Sequence, residues 1–307
     1  MSNLSLLDLG WLLYRRLRIA GFTICRKNPL AQGPNGIPWE VDLRTVKALS
    51  AIRSDPPGPL REDAAHRICW KTHLGEFWTP PGSTAYYVRL IETEALADVY
   101  NLRGANLSGA TFFDCGANVG FITRMALAHS AAQVIAFEPS PQTAQCLRMN
   151  FSSEIAAGKV TVIEKALWNA EDILWLNTAQ VSNPASHSLV ESGESPRGVR
   201  VPVTTIDRVV ADLNLARVDF IKMDIEGAEA NALAGAAATI RRFRPSIALG
   251  TEHTQDLLAN NEAVIRQIRS LVPEYEYFCT EVHPHRSPTR GWILAPHSIC
   301  FAAAPRP

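Results

Sequence analysis

Downstream of Gly109, short apolar runs alternate with longer stretches in which apolar residues recur every three or four positions. That alternation is the signature of a parallel sheet covered by helices on both faces, an α/β fold. The runs Thr111 to Asp114, Gln133 to Phe137, Val160 to Glu164, Val218 to Asp224 and Ser246 to Gly250 read as its strands. Glu229 to Phe243 reads as a helix on Leu233, Ala237 and Ile240, and Glu262 to Val272 as another on Val264, Ile265, Ile268, Leu271 and Val272. Two last apolar runs, Tyr275 to Thr280 and Ser298 to Ala303, have no clear helix between them, which predicts an antiparallel hairpin on the sheet edge.

Upstream the texture differs. Residues 1 to about 60 are helix-like and then broken at Gly33-Pro34-Asn35-Gly36 and Asp55-Pro56-Pro57-Gly58-Pro59. Ile68, Trp70, Phe77 and Trp78 predict short strands between Arg67 and Trp78, and Tyr86 to Leu102 reads as helix. The chain is therefore divided into an N-terminal helical and short-strand extension, 1–90, and a main domain, 91–307. Between Leu4 and Ile19, Leu6, Leu9, Leu13 and Leu17 make an apolar face flanked by Arg15, Arg16 and Arg18. Docking on its own domain, or on a second subunit as a homodimer contact, is preferred there over an interfacial membrane helix. Thr178 to Arg200, rich in Ser, Asn, Pro, Gly and Glu, is expected to be a long polar loop.

Composition narrows the function classes. Of 307 residues 47% are hydrophobic and 20% charged, which excludes a disordered chain. Thirty Lys plus Arg balance 30 Asp plus Glu, so no global field attracts nucleic acid or an anionic membrane, and the partner is expected to be a small molecule. The six cysteines form no C-x-x-C pair, which disfavours a zinc ribbon or a redox dithiol and reads as free thiols in a cytoplasmic protein. No run approaches the ~18 apolar residues of a transmembrane segment, and Met1-Ser2-Asn3 opens the chain without a basic region.

Three strand ends carry chemistry. The first leads through Asp114-Cys115-Gly116-Ala117-Asn118-Val119-Gly120 into a helix, so small residues stand where the chain turns sharply and a ligand can approach the backbone. The pattern G-x-N-x-G lacks the third glycine of a dinucleotide fingerprint, and Asp114 would repel a pyrophosphate while suiting an ammonium or sulfonium group. The second strand ends in Phe137-Glu138-Pro139, where a carboxylate can accept hydrogen bonds from both hydroxyls of a ribose. Together these indicate an adenosine-containing cation, S-adenosylmethionine. The fourth strand ends in Lys222-Met223-Asp224-Ile225-Glu226-Gly227-Ala228-Glu229; residues 222, 224 and 226 point to one side if the strand continues that far. Helix capping accounts for Glu229. His253, at the end of the fifth strand beside Glu252, is the best-placed general base, with metal ligation or simple orientation of the substrate as the alternatives.

These three motifs, continued by Leu233-Ala234-Gly235-Ala236 and by Pro245 to His253, resemble the FkbM family of S-adenosylmethionine-dependent methyltransferases over roughly Leu102 to Ala303. The resemblance implies a class I, Rossmann-like fold with a seven-stranded mostly parallel sheet. It also implies methyl transfer to a hydroxyl oxygen, with saccharide or natural-product acceptors such as polyketides. Asp114, Gly116, Asn118 and Gly120 would line the methionine and sulfonium end, Glu138 would hold the ribose, and Phe137 and Pro139 would flank the adenosine. Ala166 and Leu167 would lie by the adenine, with Asp224 and Glu226 facing the transferred methyl or the acceptor. No metal site is assigned; a divalent cation on Asp224, Glu226, Glu252 and His253 ranks below the metal-free route. His283-Pro284-His285 reads as an exposed loop. The rivals are a nucleotide-cofactor oxidoreductase, disfavoured by the missing glycine, and a non-catalytic cofactor-binding scaffold. Nucleic-acid or amide N-methylation is disfavoured because no N-P-P-[YF] or D-P-P-[YF] element follows the fourth strand.

Overall fold

The computed structural model describes residues 50–177, 188–190, 198–251, 257–287 and 291–303. It begins with three antiparallel strands, β1 (Gly58–Glu62), β2 (Ile68–Thr72) and β3 (Gly75–Thr79), followed by helix α1 (Ala85–Ala97). Then come β4 (Thr111–Cys115), α2 (Phe121–Ala128), β5 (Gln133–Phe137), α3 (Pro141–Asn150), the short α4 (Ser152–Ala156) and β6 (Val160–Ile163). A second sheet follows, made of β7 (Ala166–Leu167), β8 (Asp172–Asn177), β9 (Ser188–Val190) and β10 (Gly198–Thr204) in the order β7-β10-β8-β9. The chain continues through α5 (Ile206–Asp212), β11 (Phe220–Met223), α6 (Glu229–Ala234), α7 (Ala237–Phe243), β12 (Ser246–Gly250) and α8 (Leu257–Leu271) to the hairpin β13 (Tyr275–Ser287) and β14 (Gly291–Ala303).

The main sheet has seven strands in the order β13-β14-β12-β11-β4-β5-β6. Strands β6, β5, β4, β11 and β12 run parallel, and β14 enters antiparallel between β12 and β13. The chain builds outward from β4 to β6 and then returns to the other side of β4 with β11. The carboxyl ends of β4 and β11 are therefore the switch point at which open α/β sheets form their ligand crevice.

Successive side chains point to opposite faces of a strand, so this sheet carries two cores. Phe112 and Phe220 stack with ring centroids 5.0 Å apart and join Ala136 and Ala248 in a core shared with residues of α1, α2 and the N-terminal strands. Phe113, Ile135, Ile221 and Ile247 face the other way, into a core with Val209, Ile240, Val264 and Ile268 from α5, α7 and α8. All five residues of β4 are buried, Thr111 and Asp114 among them.

Several expected boundaries move. The anticipated helix Glu229 to Phe243 is two helices: a Cβ on Gly235 would lie 2.2 Å from the Trp168 carbonyl oxygen, and the Asp207 carboxylate accepts from the backbone N–H groups of Ala238 and Thr239 to open the second. The helix expected over Tyr86 to Leu102 ends at Ala97. There Asp98 turns left-handed and its carboxylate takes the N–H of Leu102 at 2.6 Å. The strand expected to reach Asp224 stops at Met223. The polar stretch 178–200 contains ordered strand: β9 pairs with β8, and Gly198 to Arg200 open β10. The terminal hairpin forms at the expected sheet edge, longer than its apolar runs. The Leu4 to Ile19 segment lies outside the described residues, and no described helix is long and apolar enough to cross a membrane.

Candidate functional site

The loop after β4 is shaped by a near contact with the end of β11. Gly116 has φ +78°, and a Cβ there would sit 1.9 Å from the Asp224 carbonyl oxygen, so only glycine lets the two strand ends approach. The N–H groups of Gly116 and Ala117 both donate to the Phe137 carbonyl, at 3.1 and 2.8 Å. Asn118 is left-handed at φ 53°, and Gly120, at φ 100°, caps α2 where a Cβ would meet the Phe151 ring at 2.2 Å.

Glu138 stands across this loop, at the end of β5, only 7% exposed. Its Oε1 accepts from the Ser140 N–H at 2.8 Å and its Oε2 from the Asn118 N–H at 3.0 Å. Burial pushes its carboxyl up to about 7, against those two donors, which favour the ionised form. Each oxygen keeps a second lone pair, so the group can still accept from two hydroxyls.

Beneath the loop lies a buried charge cluster. The register of β4 against β11 sets Asp114 opposite Lys222. The ammonium lies 3.5 Å from Asp114 Oδ1 and donates to the Gly116 carbonyl at 2.9 Å. Thr123 donates to Asp114 Oδ2 at 2.7 Å. Burial disfavours the Lys222 charge, yet the carboxylates of Asp114 and Asp224 outweigh it and hold its pKa above the ordinary lysine value. The ammonium also lies 5.3 Å from the centre of the Tyr100 ring, whose hydroxyl donates to Asp224 Oδ2 at 2.7 Å.

Tyr100, Glu138, Lys222 and Asp224 border a cleft enclosing about 930 Å³ of empty space, part of it open to solvent, at the switch point. Among the residues singled out from sequence, Gly116, Asn118, Phe137, Glu138, Pro139, Ala166, Leu167, Asp224 and Glu226 all line it. Asp114 and Gly120 do not: Asp114 is fully buried below, and Gly120 is packed against Phe151. Glu226 reaches the cleft from a turn rather than from a continued strand. It has φ 60°, and the turn is held by Glu229 Oε1, which accepts from the N–H groups of Ile225 and Gly227 at 3.0 and 3.3 Å. Glu252 and His253 lie outside the described residues.

The sequence reading missed part of the wall. Ile91, Glu94 and Tyr100 line the cleft from α1 and the turns after it, and Leu176 and Leu189 from β8 and β9. Nothing in their spacing links them to the motifs; Tyr100 and Asp224 are 124 positions apart. Phe121 and Ile122, directly after Gly120, were within reach of the motif itself. Among the described residues no group of three or more His, Cys, Asp or Glu side chains could hold a metal ion.

The family model described as Methyltransferase FkbM domain matches residues 114–279, more than half of the chain. The chain belongs to the FkbM methyltransferase family. The match begins at Asp114, at the end of β4, and runs past the Lys222 to Glu229 turn that borders the cleft. No curated protein matches the chain. Among solved structures, this FkbM chain is similar to methyltransferase FkbM from Methylobacillus flagellatus KT, with a TM-score of 0.43 and 18% identity over 71% of this chain and 53% of that one. It thus spans about half the length of that protein. It is also similar to an O-methyltransferase from Bacillus cereus in complex with SAH (TM-score 0.35, 13% identity, 86% and 91% covered). A third is a ribosomal protein L11 methylase from Lactobacillus delbrueckii subsp. bulgaricus (0.37, 10%, 72% and 79%).

Proposed function

We propose that this FkbM-family chain transfers the methyl group of S-adenosylmethionine to a hydroxyl oxygen of a small molecule, a saccharide or a polyketide-like natural product. The observation that carries the cofactor reading is Glu138: a buried carboxylate on the wall of a cleft at the switch point, braced by two backbone N–H groups and facing a loop that only glycine permits. The residues fit the group. Glu138 can accept both ribose hydroxyls, and Ala166, Leu167 and Phe137 offer apolar surface to an adenine. Asp224 and Glu226 supply negative charge for a cationic donor.

S-adenosylmethionine brings an activated methyl on a sulfonium, so the protein's work is alignment of the acceptor and removal of its proton. The Gly116 to Gly120 loop supports the donor, with Lys222 fixing the Gly116 carbonyl from below. Tyr100 orients Asp224 at the cleft wall. Asp224 or Glu226 then orients the acceptor hydroxyl, or the histidine that deprotonates it. His253, which follows β12 by three residues, is that base. A metal-assisted route, in which Asp224, Glu226, Glu252 and His253 would hold a divalent cation that acidifies the acceptor hydroxyl, ranks second to deprotonation by His253.

The test is transfer of labelled methyl to a panel of free sugars, glycosides and hydroxylated polyketides, followed by His253→Ala on the acceptor that works. The substitution is expected to lower kcat by roughly 10² to 10⁴ while leaving the Kd for S-adenosylhomocysteine unchanged. Transfer to an amine but no hydroxyl would overturn the O-methylation reading, and an unaltered kcat would remove His253 from its role.

A further inference from the structure

The N-terminal strands and α1 lie outside the residues matched to the FkbM family, yet they reach the cofactor loop and the start of α2 directly at Asn118 and Phe121, and at Val119 through Asn150 of α3. The Tyr87 hydroxyl, on α1 and fully buried, donates to Asn118 Oδ1. Asn150, the last residue of α3, grips Trp78 of β3 by both backbone groups. Its Oδ1 accepts from the Trp78 N–H at 2.7 Å and its Nδ2 donates to the Trp78 carbonyl at 3.0 Å. The same Nδ2 donates to the Val119 carbonyl at 2.8 Å. Phe77 of β3 stacks on Phe121 with ring centroids 4.1 Å apart. Asn118 and Phe121 are thus held directly from the N-terminal side, and Val119 indirectly, by the Asn150 side chain that Trp78 also engages.

The first contact leads to the ligand wall. Asn118 accepts from Tyr87 through its side chain and donates through its backbone N–H to Glu138 Oε2. A left-handed asparagine is an uncommon conformation that the surroundings must hold. Asn118 Oδ1 takes the neighbouring Val119 N–H at 2.8 Å, and Tyr87 on that same oxygen and Asn150 on the Val119 carbonyl hold the turn from two sides.

We propose that Tyr87 and Asn150 are positioning residues for the cofactor, and that the N-terminal sheet with α1 is a bracket completing the cofactor site. This assigns residues 58–97, which lie outside the family match, to donor binding. The inference rests on reading the cleft as an S-adenosylmethionine site.

A double-mutant cycle on S-adenosylhomocysteine affinity tests it, using Tyr87→Phe, Asn118→Ala and both together, with the melting temperature of each unliganded chain measured alongside. Tyr87→Phe keeps the buried ring and loses only the hydroxyl. Its Kd is expected to rise about tenfold, about 1.4 kcal/mol, and to rise less than about twofold when Asn118 is already Ala. A purely structural tyrosine would lower the melting temperature and leave Kd, or the additivity of the two changes, untouched. Asn150→Ala is the second variant, expected to weaken binding about fivefold by the same arithmetic. If the parent binds S-adenosylhomocysteine and both single variants bind within twofold of it, or the cycle is additive, the bracket is refuted. If the parent itself does not bind, the reading of the cleft fails first.

Discussion

Glu138 is a carboxyl group kept near its titration point by opposing forces. Its folded pKa, about 7, lies above the usual glutamate value because it is buried, while Lys222 favours the anion and Asp114 opposes it; Lys165 also borders the cleft. The folded chain therefore holds a proton that the unfolded chain has released between about pH 4.5 and pH 7. The resulting stability is fully present below that window and is lost as pH rises through 7, a change of up to about 3 kcal/mol. Ribose hydroxyls donate best to the ionised form, so ligand binding should run the other way. S-adenosylhomocysteine is expected to bind more tightly at pH 8 than at pH 6, and Glu138→Gln to flatten that dependence, as titration calorimetry at the two pH values would read. The position of Glu138 on the cleft was legible because it stands at the end of a strand beside the switch point, where open α/β sheets form their crevice. Asp114 was legible only as a charge: the direct pairing of β4 with β11 sets it on Lys222, and no spacing along the chain reveals that partner.

At the scale of elements, apolar runs located the inner parallel strands because β4, β5, β11 and β12 are buried on both faces. Helix ends were harder to place. Leu233, Ala237 and Ile240 keep a helical period straight through Gly235, and the break is explained by groups delivered from elsewhere in the chain, the Trp168 carbonyl against Gly235 and the Asp207 carboxylate on the N–H groups of Ala238 and Thr239. Gly235→Ala should force that carbonyl away and destabilise the chain by about 1–3 kcal/mol, read as a lowered midpoint in urea with an unchanged slope. Equal stability would mean that the α6–α7 junction yields freely. Likewise Glu226 was expected to follow Asp224 along a strand, whereas Glu229 gathers the intervening N–H groups into a turn. The outcome is the same cleft-lining carboxylate, reached by a different backbone.

For the molecule as a whole, the resemblance anticipated the seven-stranded sheet, and the topology explains why its motifs converge. β4, β5 and β11 are consecutive or adjacent at the switch point, so the ends of three separated segments share one rim. What sequence alone did not convey is how the N-terminal strands enter the same body: Trp70 and Phe77 belong to one core with Phe112 and Phe121. Long-range packing of that kind leaves no periodic trace. The proposed function requires that this rim hold the adenosine of S-adenosylmethionine through Glu138. Titration calorimetry of the parent chain and of Glu138→Ala with S-adenosylhomocysteine at about pH 8 tests it directly. Micromolar binding by the parent and a loss of at least about tenfold, about 1.4 kcal/mol, on substitution are expected. No binding by the parent, or equal binding by both, would contradict it.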